Sequence, residues 1–169
     1  MLKYLTLLEL LVTAVWMDLR RKKISNRLIF VGLGLGLLFR VIERGVVGIF
    51  LFLRDISFPV ILFYLLFLMH ALGAGDIKLF SVIGSFLNFK GLCSCIVFAF
   101  LFGAGISMVR LLYDRSLMRK MWEFLQYIGC TVRTREITCY RESRSRQDVI
   151  CFSVPILAGY LYYLWEVVY

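Results

Sequence analysis

The chain has 169 residues, a formal net charge of +9 and a hydrophobic content of 61%, with a mean hydropathy of +0.83. That apolar content exceeds the soluble range, and several runs approach the length needed to cross a bilayer. The basic excess fits the loops of a membrane protein, so lipid is the expected surrounding and nucleic acid is not an expected partner. The length suits one domain, taken as 1–169, and the expected fold is all-α: a polytopic transmembrane helical bundle of about six spans.

In chain order, a first span runs from about Leu2 to Met17 and ends at Asp18. Glu9 interrupts it and the basic cluster follows instead of preceding it, so it reads as a retained span and not a signal peptide. Residues 18–27 hold Arg20, Arg21, Lys22, Lys23 and Arg27, a cluster that reads as cytoplasmic. A second span covers Leu28 to Phe39 or Ile42, with Gly32, Gly34 and Gly36 marking close packing. Arg40, Glu43 and Arg44 then lie outside. Val46 to Leu53 is too short to span and reads as interfacial or partly re-entrant, with Arg54 and Asp55 at its outer end.

The third span, Ser57 to Leu72, leads into Gly73-Ala74-Gly75-Asp76-Ile77-Lys78. A fourth, short span covers Ile77 to Leu87, a fifth Leu92 to Val109 and a sixth Val149 to Val168. Between the last two lies a long basic loop at about 114–147, where Leu117, Met118, Met121, Trp122, Phe124, Leu125 and Ile128 form an apolar stripe suited to an interfacial helix. This topology places 15 of the 20 basic residues on the inner side and the N-terminus outside.

Metal chemistry has little support. Cys93 and Cys95 form a C-x-C pair inside an apolar run, Cys130, Cys139 and Cys151 stand apart, and His70 is the single histidine. Neither a metal nor another cofactor is expected.

Carboxylates are the stronger signal. Asp18 closes the first span and Asp76 opens the fourth, both on the inner side, and an acidic residue at a span edge is a functional-site candidate. Two carboxylates sharing a site do not both ionise easily, so the pair can hold one proton; the ionised member takes a proton from water and the other donates to a carbonyl oxygen. The bland alternative is that Asp18 offsets the neighbouring arginines while Asp76 caps a helix. Composition and spacing admit both.

The stretch Gly73-Ala74-Gly75-Asp76, continuing Ile77-Lys78-Leu79, resembles the GxGDxKL motif of the type IV prepilin peptidases, which are membrane aspartic peptidases. Asp18, its basic run and Ile24-Ser25-Asn26 resemble that family's early aspartate and PN stretch, with Ser25 where the proline is usual. Phe152 to Gly159 is similar to its proline-containing final span, and the likeness covers about Met1 to Tyr113 plus that span. The resemblance implies a short, peptidase-only form at the cell membrane, with Asp18 and Asp76 as a catalytic dyad near the cytoplasmic face. It implies Gly73 and Gly75 as shapers of the loop beside Asp76, Lys78 and Asn26 as supporting residues, and a prepilin or pseudopilin substrate cut just before its apolar helix. The rival expectations are a preflagellin-type GxGD peptidase and a non-enzymatic membrane component of a secretion or transport system.

Overall fold

A computed structural model describes residues 2–69, 72–113 and 152–168. Among them the chain is all helical: α1 (Leu2–Arg21), α2 (Asn26–Leu68), α3 (Ala74–Phe86), α4 (Phe89–Tyr113) and α5 (Ser153–Val168). The chain divides into two compact units, one of residues 1–103 with 151–169 and one of residues 104–150. In the second unit the described part, 104–113, continues α4. His70 and the basic loop at about 114–147 lie outside the described residues.

α1 and the two halves of α2 turn one stripe inward, and polar residues fall within those stripes. In α1 the buried residues are Leu7, Leu11 and Ala14. Their i, i+4, i+7 spacing continues to Asp18, which therefore projects from the inward face near the helix end. The first half of α2 buries Ile29, Gly32, Gly36 and Arg40, and the second half buries Gly48, Phe52, Asp55, Pro59 and Phe63. Meanwhile Phe30, Ile42, Phe50 and Ile61 stand 71–74% exposed on the outer faces. So much exposed apolar surface suits lipid contact and is foreign to a soluble monomer. Among the described residues, two helices are long and apolar enough to cross a membrane, Asn26–Leu68 and Phe89–Val109 of α4.

The interfacial reading of Val46 to Leu53 is corrected. Gly45 breaks α2 at φ 57°, ψ −139°, after which residues 46–68 form uninterrupted helix. That backbone lies in the left-handed region, which glycine enters without a Cβ penalty. Past it the chain folds back, because the Arg40 guanidinium meets the Asp55 carboxylate at 2.7 Å. On a straight helix residues 15 apart would be separated by about 22 Å.

α3 lies at the centre. Ile77 and every residue from Leu79 to Phe86 are buried, as expected of a helix apolar on all sides. Its 13 residues make a rod about 20 Å long. The first half of α2 presses on it through Gly32, where a Cβ would come within 2.9 Å of Val82, and through Gly36, where a Cβ would overlap Ser85 Oγ; Gly34 faces open space. Gly36→Val is accordingly expected to destabilise the protein by about 1–3 kcal/mol, read as a lower melting temperature in detergent, with Gly34→Val near neutral.

Arg40 and Asp55, expected on the outer side of the membrane, are buried within the protein, at 3% and 0% exposure. Arg40 donates to Asp55 Oδ2 at 2.7 Å, to the Gly84 and Ser85 carbonyls at 3.0 and 3.2 Å, and to the Leu87 carbonyl. The guanidinium thus supplies donors to carbonyls that the last turn of α3 cannot satisfy internally. Asp55 balances its charge and also accepts from half-exposed Arg54 at 2.7 Å.

Candidate active site

Asp76 stands in the first turn of α3, behind the N-cap Gly73 and ahead of the buried run. Its backbone N–H donates to the Gly73 carbonyl at 3.1 Å. The flanking glycines work by leaving room, since Gly73 has an ordinary extended backbone (φ −76°, ψ 145°). A Cβ on Gly73 would lie 3.1 Å from Asp76 Oδ2, and one on Gly75 would lie 3.2 Å from Ile24 Cδ1. The first glycine clears space for the carboxylate, and the second lets the α1–α2 turn close onto α3.

Asp18 reaches the same region from α1. Both carboxylates are half-buried, and they feel each other's charge. Burial, followed by the charge of Asp18, pushes Asp76 from its ordinary 3.8 up to about 6, against a lowering hydrogen bond with the Gly73 backbone. Desolvation and a like charge both disfavour ionisation. The helix-capping role expected of Asp76 in the bland reading is therefore present, but burial and Asp18 outweigh it.

The supporting residues fall into one contact: Lys78 Nζ donates to Asn26 Oδ1 at 2.9 Å, pinning the start of α3 to the start of α2. Lys78 lies two residues after Asp76, about 200° round the helix. It leaves the helix on the side opposite Asp76 and ends on Asn26. A largely apolar cavity of about 550 Å³, lined by Ile29, Leu33, Val60, Asn26, Lys78 and Ser81, opens on that same far face of α3.

Sequence reasoning missed Ser153. At the start of α5 and 1% exposed, it donates from Oγ to Asp18 Oδ2 at 2.5 Å. The stretch around it draws notice for Pro155; a lone serine 135 positions from its partner carries no pattern by which to find it.

A buried core of helices with outward apolar faces, in which the glycine-flanked Asp76 feels the charge of Asp18, is the architecture of a membrane protein. The model of the type IV leader peptidase family matches residues 5–108. The chain belongs to that family, and membership implies an aspartic-type peptidase. No curated protein and no solved structure gives a significant match.

Proposed function

We propose that the protein is a membrane aspartic endopeptidase that removes the leader of prepilin-like or pseudopilin precursors, using Asp18 and Asp76 as its dyad. The observation that carries this reading is the electrostatic coupling of the two half-buried carboxylates, with Asp76 pushed toward its neutral form. With one proton between them, such a pair supplies both a base and an acid. The ionised carboxylate takes a proton from water as the water oxygen attacks the scissile carbonyl carbon, and the protonated one donates to the carbonyl oxygen. Collapse of the resulting gem-diol breaks the C–N bond, with a proton delivered to the departing amine.

In the chain order proposed, the two halves of α2 count separately, which gives six membrane passes and leaves both aspartates at the cytoplasmic edge. Arginine and lysine at residues 20–23 flank that edge. A substrate helix held in the bilayer would bring its leader junction to this depth.

The test is co-expression with a candidate prepilin, following the mobility shift and the mature N-terminus. Parent protein is expected to process it, whereas Asp18→Asn and Asp76→Asn, present in the membrane at equal level, are not. Equal processing by all three would remove the dyad, and absence of any processing across a panel of prepilins would favour a non-enzymatic role.

A further inference from the structure

α5 lies beyond the matched family region, which ends at residue 108, yet it touches the candidate site directly. Two hydrogen bonds tie it to α1: Ser153 Oγ to Asp18 Oδ2 at 2.5 Å, and Tyr160 Oη to the Tyr4 carbonyl at 2.8 Å. Positions 153 and 160 are seven apart and share one helix face, and their partners run in the opposite order along α1. The two helices are therefore antiparallel. Beside Ser153, the Phe152 ring lies 5.2 Å from Phe100 and 6.5 Å from Phe80. Phe80 is one turn beyond Asp76 on the same face of α3. The residue pair 152–153 thus joins the helix that carries Asp18 to the helix that carries Asp76.

We propose that Ser153 is a positioning residue of the peptidase site, its hydroxyl holding the Asp18 carboxylate in the orientation that pairs it with Asp76. This rests on the dyad reading above. The torsion that rotates an aspartate carboxylate is broad and only weakly restrained by the side chain itself. Near the end of α1 and half-buried, Asp18 needs an external restraint to keep one oxygen aimed at a water. Ser153 supplies it by engaging Oδ2, which makes the two oxygens inequivalent. Ser153 itself is buried, next in the chain to Phe152 of the ring cluster. Misplacement of a catalytic group by about 1 Å costs on the order of a hundredfold in rate, so a single hydroxyl is enough to matter.

The experiment compares Ser153→Ala, Ser153→Thr and Tyr160→Phe in the full chain, purified in detergent with a prepilin that the parent processes. Ser153→Ala is expected to lower kcat by about tenfold to a hundredfold with KM within about twofold, Ser153→Thr to recover most of kcat, and Tyr160→Phe to leave kcat unchanged. Tyr160→Phe controls for loss of a hydrogen bond between α1 and α5 remote from the carboxylates. Parent-like kcat in Ser153→Ala, while Asp18→Asn is inactive, overturns the Ser153 inference and leaves the dyad standing. Equal losses in Ser153→Ala and Tyr160→Phe without rescue by threonine also overturn it, reducing Ser153 to packing. Full activity of Asp18→Asn removes the dyad itself. A melting-temperature cycle of Ser153→Ala, Asp18→Ala and the double variant reads the contact without any substrate: non-additive shifts are expected, and additive ones sink the proposal.

Discussion

Asp76→Asn is expected to lose processing by about 10²- to 10⁴-fold, the usual worth of a positioned acid–base group, while gaining stability at neutral pH. The opposite signs have one cause. Burial and the Asp18 charge raise the folded-state value of Asp76 from 3.8 to about 6, so the folded protein holds this proton more tightly than the unfolded chain does. The stability that the neutral carboxyl contributes is complete below about pH 4 and is lost as pH rises through about 6. Above that range the charged group costs the parent on the order of 3 kcal/mol. An asparagine keeps the shape and never ionises. Thermal melts in detergent at pH 4, 6 and 8 check the sign: the difference between variant and parent should be near zero at pH 4 and grow to several degrees at pH 8. A difference independent of pH would show that Asp76 is not strained by ionisation, and with it the shared proton would go.

The second large effect is at the other end of α3. Arg40→Ala is expected to destabilise the protein by about 3–5 kcal/mol, the range for breaking a buried ion pair from one side. The loss leaves the Gly84, Ser85 and Leu87 carbonyls without the guanidinium and leaves Asp55, fully buried, with only half-exposed Arg54 as counter-ion. Against a total stability of about 5–15 kcal/mol, that is enough to lower the amount in the membrane. Arg40→Lys should recover little, because one ammonium cannot match a planar fork that serves a carboxylate and three carbonyls. Asp55→Asn should be milder, since its amide oxygen still accepts from Arg40. Melting temperatures and membrane levels of the three variants check the order; an Arg40→Lys protein as stable as the parent would show that charge alone matters.

Much of the candidate site is legible in the sequence because its signals are local. Asp18 stands at the head of a basic cluster, and Asp76 follows two glycines spaced to clear its carboxylate and to admit Ile24. The all-helical class follows from apolar runs whose outer faces meet lipid. What the sequence hides is pairing across long separations. Arg54 and Asp55 look like the polar end of an interfacial segment, yet helix continues through them because Arg40, folded back at Gly45, neutralises Asp55 from within. A charge ends an apolar run only when nothing compensates it, and periodicity cannot report a partner 15 positions away. Lys78 and Asn26 stand out one by one, but their contact spans 52 positions. Ser153 is a small polar residue in an apolar span, and its meaning arises only when α1 and α5 lie side by side.

That antiparallel pairing also sets the order in which the protein can be completed during synthesis. Asp18 leaves the ribosome in the first helix and Asp76 in the third, but Phe152 and Ser153, which reach both of those helices, follow all of α1 to α4. Contacts this distant along the chain close late. A nascent chain that has inserted only through α4 carries both aspartates without the hydroxyl that engages the first. Of the two aspartates, the one made first meets its hydroxyl partner only after α1 to α4 have all been made.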